Sequence, residues 1–410
     1  MRTTGPLGTQ PAPAAAAARW AESHAPLVER IRDAIERAPE GRIPFARFMQ
    51  LALYEPGLGY YRRRSDRATR TGDFLTAPET DPIFGHALAR QLEEMWQRLG
   101  RPEPFVLRDH GAGTGALGTS VLAGLRLDAS PLAEALRYEP VESGPERRRA
   151  IEAAFAAAGL GEQLRWADPT TPFVGCLVAN ELLDALPVHR LARIAGRLVE
   201  LHVTWRESWF ADEPGPLSDE RLEPALAASG LQLAEGECAE VSLAAIDWLQ
   251  RVAPTLERGF LLIIDYGGPA AALHARMPAG TLRTYRGHHA GDDPYRAVGE
   301  QDLTAHVETG ALERAAAEAG LTLLGRTTQA EFLAGLELGE LLVSRRARPD
   351  VGEAGHRDAR NAVLRFLDPQ AMGRFAVLVF ARGVAAEPPL LGLRFRLPAS
   401  DPTPAPGGSP

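Results

Sequence analysis

The stretch FVLRDHGAGTGALGTSVLAGL, Phe105 to Leu125, limits the fold more than any other part of the chain. A short apolar run ends at an acid, breaks into glycines at 111, 113 and 115, and resumes with helical apolar spacing. A strand that hands over to a helix through such a turn sets backbone and a helix N-terminus beside any ligand the turn receives. Gly111, Ala112, Gly113 and Gly115 are therefore candidate ligand contacts, and Thr114 is a candidate cap for the helix. The turn reads G-A-G-T-G, which departs from the dinucleotide pattern G-x-G-x-x-G, and the absence of G-K-[ST] excludes a P-loop. Asp109 stands two residues before the first glycine, and Glu142 ends the next apolar run, where a doubly wound fold holds ribose hydroxyls. An acid before the turn suits a cationic or amino-bearing ligand, and the combination favours S-adenosylmethionine over NAD. A purely structural turn is the competing reading of the glycines alone.

Apolar strands and helical patterns alternate from Phe105 onward. LRYEPVE precedes GPERRRAIEAAFAAAG, GCLVANELLDALP runs from a strand into a polar turn, and GFLLIIDYG is the most apolar strand. DLTAHVETGALERAAAEAG reads as a helix and RFAVLVFARG as a late strand. Alternation of this kind predicts an α/β fold with a doubly wound, mostly parallel sheet covered by helices on both faces. The 410 residues suit one such core with additions. Residues 1–18 and the Pro-rich 386–410 are expected to be a disordered lead and tail. Residues 19–100 form an N-terminal helical cap, with an amphipathic helix expected between Arg19 and Ala38. Residues 101–385 make the core, with insertions at about 187–245 and 268–300. The segment from Glu207 to Glu240 reads as a local acidic elaboration.

Composition removes several classes of function. A net charge of −8 supplies no basic field for nucleic acid. No run of about 18 apolar residues appears, so no transmembrane helix or membrane partner is expected. The alanines of residues 14–18 are too short for a secretory leader. Cys176 and Cys238 lack CxxC spacing, no His/Cys/Asp cluster has ligand spacing, and no metal is expected. The same cysteine usage argues against a disulfide framework and leads to the expectation of a cytoplasmic protein. The absence of lysine points to coding bias in a GC-rich bacterial genome.

Longer motifs carry a resemblance. IPFARFMQLALYEPGLGYYRRR, TGDFLTAPETDPIFGHALARQLEEMW, VANELLDALPVHR, LLIIDYGG and GTLRTYRGHH occur in order between about Ile43 and Gly383. The set resembles the MidA-type S-adenosylmethionine-dependent methyltransferases, which include a mitochondrial arginine methyltransferase of respiratory complex I assembly. The family has Glu and an apolar residue before the glycines, where this chain has Asp109 and His110. The resemblance implies a class I, Rossmann-like methyltransferase that modifies arginine in a protein substrate. It also implies that Asp109 serves the methionine amino group and that Gly72 and Asp73 lie over the cofactor pocket.

Methyl transfer from a sulfonium needs in-line aim of a nucleophile more than it needs a strong base. Asn180, Glu181 and Asp184 leave the end of a buried strand, where ligands of such sheets bind. Asn180 is thus a candidate for cofactor and catalysis alike. Glu181 and Asp184 could hold a guanidinium by forked hydrogen bonds, sharing one face if the stretch is helical. GTLRTYRGHH reads as a loop near the acceptor, where His288 or His289 could accept a proton. YRRR at residues 61–64 reads as a solvated basic patch. Two other functions compete: methylation of a small molecule or another side chain, and a non-catalytic assembly chaperone that keeps the pocket.

Overall fold

The computed structural model describes residues 13–63, 76–287, 289–348 and 351–396. Six strands form the central sheet: β1 (Phe105–His110), β2 (Leu136–Val141), β3 (Phe173–Asn180), β4 (Leu256–Asp265), β5 (Thr322–Thr328) and β6 (Ala376–Arg382). Their spatial order is β5-β6-β4-β3-β1-β2. β2, β1, β3 and β4 are parallel neighbours, whereas β6 runs antiparallel to both β4 and β5. The sheet is therefore mixed, with one strand of six reversed. Gly175 and Gly259 face each other in register on β3 and β4, and a Cβ at Gly259 would lie 1.9 Å from the Gly175 carbonyl oxygen.

Side-chain alternation along the strands divides the core into two layers. Leu107, Val178 and Ile264 pack with Ile83–Arg98 (α1), Ala116–Leu127 (α2) and the inner residues of Pro145–Ala157 (α3). Val106, Leu177, Ala179 and Ile263 pack on the other face with Leu243–Val252 (α4) and Thr309–Glu318 (α5). Ligand-binding turns emerge at one edge, between these layers.

A second sheet is wholly antiparallel. Its strands run Arg42–Pro44, Arg197–Arg206, His189–Ile194 and Cys238–Val241, with Trp209–Gly215 also paired to Arg197–Arg206. The acidic segment expected as a local elaboration thus supplies part of a sheet that also recruits an N-terminal strand. Packing explains the recruitment: Trp209 and Phe210 bury against Phe45, Phe48 and Tyr295. A hairpin of Arg283–Arg286 and His289–Gly291, extended by Asp302–Thr304, takes the place of the loop expected at GTLRTYRGHH. His288 lies outside the described residues.

The ends are more ordered than composition suggests. Helices span Pro13–Glu22 and Ala25–Glu36, broken at His24 where Pro26 fits only a first helical turn. Leu27, Val28, Ile31 and Ile35 of the second helix are buried. This second helix lies within the span expected to be helical, Arg19 to Ala38, whereas the first helix overlaps the lead expected to be disordered from residue 13 onward. Leu390 and Leu393 bury beside a short helix at Leu391–Arg394, so part of the expected tail packs as well. Among the described residues no helix is long and apolar enough to cross a membrane.

Candidate active site

A pocket of about 480 Å³ opens at the C-terminal ends of β1, β2 and β3. The glycine turn forms its floor. Gly113 has φ +58°, and a Cβ there would meet nothing closer than the Gly111 carbonyl oxygen at 3.9 Å, so the hydrogen faces open space. Gly115, at φ +79°, serves packing: its Cβ position lies 3.3 Å from Ile151 of α3. Thr114 does not cap α2; its hydroxyl donates to Glu79 across the pocket. Gly115 itself is the residue before the helix, and its left-handed backbone takes the capping position that Thr114 was expected to hold.

The pocket gathers Asp109, Gly111, Ala112, Gly113, Glu142, Asn180 and Glu181 from the residues expected by sequence. Gly115 and Asp184 stand outside its wall, and Gly72 and Asp73 lie outside the described residues. Asp109 is buried, and its Oδ2 accepts the Tyr138 hydroxyl at 2.6 Å. Burial pushes its carboxyl up to about 7, against the Tyr138 hydrogen bond and with help from Glu142. Glu142 is held in place: Oε1 accepts from Ser143 N at 2.9 Å and Gly144 N at 3.3 Å, and Oε2 lies 3.4 Å from Arg147.

The turn after β3 departs from expectation. Residues 181–188 are not helical, so Glu181 and Asp184 do not share a helix face. The reason is a missed residue, Asp265 at the end of β4. Its Oδ2 accepts from Leu182 N at 3.1 Å and Leu183 N at 2.7 Å, drawing N–H groups around a carboxylate instead of into a helical ladder. Glu181 sits at φ +49° with its N–H donated to the Ile264 carbonyl at 2.8 Å. A left-handed glutamate costs about 1–2 kcal/mol, and such strain persists only where the surroundings over-determine it.

Glu181 Oε1 accepts from Ala77 N at 2.8 Å and Asn180 Nδ2 at 3.1 Å. No described group hydrogen-bonds its Oε2, and Asn180 Oδ1 is buried without a partner. Burial pushes the Glu181 carboxyl up to about 8, with Asp265 adding to the rise and the Ala77 N–H opposing it. Asp184 is raised well above the carboxylate range by burial and by Asp265, Asp302 and Glu181. Burial raises Asp265 as well, to about 7, but the backbone N–H groups that donate to it oppose the rise, so of the two Asp265 ionises first and Asp184 keeps its proton.

Other wall residues had no signal in spacing alone. Tyr54 and Tyr61 stack at 5.5 Å, and both Asp302 oxygens lie 2.9 Å from the Tyr61 hydroxyl. Arg62 donates to Ser143 Oγ at 2.5 Å and Arg63 pairs with Glu300 at 2.5 Å, so the described part of YRRR ties elements together and is not a solvated patch. Trp248 Nε1 donates to His110 Nδ1 at 3.3 Å, and burial lowers the imidazole to about 3, keeping it neutral. The site is therefore acid-rich at the β1 and β3 ends. Asn180 Oδ1 and Glu181 Oε2, neither of which has a hydrogen-bond partner among the described residues, and the open space at Gly113 fit a ligand with an amino group and a positive charge.

Comparison with known proteins agrees with this geometry. Residues 87–327 match the family model described as "Putative S-adenosyl-L-methionine-dependent methyltransferase". A Burkholderia thailandensis crystal structure bound to S-adenosyl-homocysteine is similar at 32% identity and TM-score 0.79, covering 92% of this chain and 96% of that one. The Drosophila melanogaster "Protein arginine methyltransferase NDUFAF7 homolog, mitochondrial" is 29% identical over 90% of this chain and 88% of its own length. The human mitochondrial protein of that name is 26% identical over 72% of this chain and 69% of its own. The chain is a member of this S-adenosylmethionine-dependent methyltransferase family, with an α/β methyltransferase fold and S-adenosylmethionine as its cofactor.

Proposed function

We propose that the protein methylates arginine in a protein substrate. One observation supports this reading above the others: Glu181 presents a fixed, partly buried carboxylate whose second oxygen has no described partner, inside the cofactor pocket. When bound, S-adenosylmethionine supplies an electrophilic methyl on a sulfonium. Glycines 111 and 113 admit it to the strand ends, Glu142 receives its ribose hydroxyls, and Asn180 Oδ1 accepts from its amino group. Asp109 serves the same amino group from the β1 end.

Glu181 then faces the acceptor. Its second oxygen accepts an N–H of the incoming guanidinium, holding one nitrogen in line, and takes the proton that nitrogen sheds as its N–CH₃ bond forms and the methyl's bond to sulfur breaks. Atoms and charge balance: a guanidinium and a sulfonium yield a methylguanidinium, a neutral thioether and one proton, with one S–CH₃ bond exchanged for one N–CH₃ bond. A buried carboxyl raised to about 8 ionises readily only when a cation arrives, which favours guanidinium over an apolar or anionic acceptor. Asp184, outside the pocket wall, acts through the turn it shares with Asp265. The arginine methyltransferase names of the relatives support the same acceptor.

The test is transfer of a deuterated methyl to proteins of a lysate, followed by peptide mass spectrometry. Label on arginine supports the reading. Label confined to small molecules or other side chains favours the competing methyltransferase, and cofactor binding with no transfer at all favours the chaperone.

A further inference from the structure

Behind the turn that carries Glu181 lies a second cavity, of about 300 Å³, which the methyl-transfer reading does not use. Leu182 and Leu183 are successive residues on opposite sides of one wall: Leu182 lines the cofactor pocket and Leu183 the cavity. The remaining walls come from Leu222–Ala228, Cys238–Val241, α4, Ala270–Arg276 and α5. Four of those segments, all but α5, belong to the insertions or border them, so the cavity is largely a product of what was added to the core.

Its lining is dominated by aliphatic groups, among them Leu226, Val241, Ile246, Leu273 and Leu312. Several of its polar side chains are already engaged. Glu240 Oε2 accepts from Thr281 N at 2.5 Å and Thr281 Oγ1 at 2.9 Å. Glu308 accepts from Gly310 N at 2.7 Å and Arg314 at 3.0 Å, and His274 pairs with Glu237 at 2.9 Å. His306 differs. Its Nδ1 lies 3.4 Å from the Thr281 carbonyl oxygen, which can only accept, so Nδ1 carries the hydrogen. Among the described residues no group hydrogen-bonds Nε2, which is left as an acceptor on a residue of the lining, and burial holds the ring neutral by lowering its pKa to about 4.

We propose that this cavity is a second binding site, for a compact apolar molecule bearing one hydroxyl-type donor that reaches His306 Nε2. A concave, mainly aliphatic space of this size with a polar acceptor among its lining residues is the usual form of a small-ligand site. The site stands independently of the arginine reading, since it uses none of the same side chains.

Phenol and toluene, alike in shape and different in one donor, are the probes, titrated into the full chain by calorimetry. Phenol is expected to bind in preference to toluene, and His306→Leu to erase or reverse that preference. Ala311→Phe fills the space from α5 and is expected to weaken phenol about tenfold or more. S-adenosylhomocysteine affinity should stay within about twofold in the same protein, since the filled space is behind the turn. If Ala311→Phe loses S-adenosylhomocysteine binding, Ala225→Phe fills the cavity from the opposite wall. Absence of phenol binding, equal binding by both filled variants, or a preference for toluene in the unaltered chain overturns the proposal.

Discussion

Replacing Glu181 by Gln removes one charge and keeps the shape. Ala77 N and Asn180 Nδ2 are both donors, at 2.8 and 3.1 Å from Oε1, so the carboxamide oxygen must take that position. Its NH₂ group then faces the pocket where the free carboxylate oxygen stood. A guanidinium that met an acceptor now meets donors. Loss of a hydrogen bond to a charged group costs about 1.5–3 kcal/mol, or roughly 10- to 150-fold in rate. Loss of the proton acceptor and of in-line aim adds to this, so a fall in methyl transfer of about 10²-fold or more is expected. S-adenosylmethionine affinity should move only a few-fold, because the Asn180 and Ala77 contacts survive. The assay is single-turnover transfer and calorimetric cofactor binding on one preparation. The unaltered enzyme should also gain activity as pH rises toward about 8 and then level off, as the Glu181 carboxyl ionises beside Asp265 and Tyr266, whereas Glu181→Gln should lack that limb. Binding and turnover falling together would place Glu181 in the cofactor site or the fold. If neither falls, the guanidinium contact is wrong.

Other outcomes follow from the same geometry. Gly113→Val should abolish S-adenosylmethionine binding by filling ligand space; calorimetry on folded protein checks this, and unchanged affinity would refute it. Glu142→Ala should cost about 1.5–3 kcal/mol of cofactor affinity, and a loss well below tenfold would exclude the ribose role. Tyr138→Phe should destabilise the fold by about 1–3 kcal/mol in urea, because it strips the buried Asp109 of its donor. The raised carboxyls of Asp109 and Glu181 give stability a definite sign. Between the unfolded carboxylate range near pH 4 and their folded values of about 7 and 8, the folded state binds more protons. Their contribution to stability is present below that window, falls as pH rises through it and stays flat above. Urea denaturation of the ligand-free protein at the two ends of the window measures it, and Glu181→Gln should reduce the slope.

Where local chemistry governs structure, the sequence was informative. Gly111, Ala112 and Gly113 of the glycine turn, Asp109 near the end of β1 and Glu142 just after β2 all line one pocket, because strand-to-helix turns in a parallel segment must open at the same edge. What escaped was set by distant partners. Asp265 lies 81 residues from Asp184, yet its N–H acceptors decide that the turn after β3 is no helix. Thr114 reads as a cap until Glu79 takes its hydroxyl from a segment 35 residues away. The lead and tail read as disordered by composition, but a helix begins at Pro13 with Ala16 buried, and Leu390 and Leu393 bury around a short helix in the tail. Tyr54 and Tyr61 carry no chemical pattern of their own, and only the fold brings them to the wall of the pocket.

The central claim is that an arginine side chain receives the methyl group at Glu181. The most direct measurement is peptide mass spectrometry of a lysate incubated with deuterated-methyl S-adenosylmethionine and either the unaltered protein or Glu181→Gln. The account predicts label on arginine with the unaltered protein, and about a hundredfold less with the variant at equal cofactor occupancy. Label on other acceptors alone, or equal arginine labelling by both proteins, would contradict it.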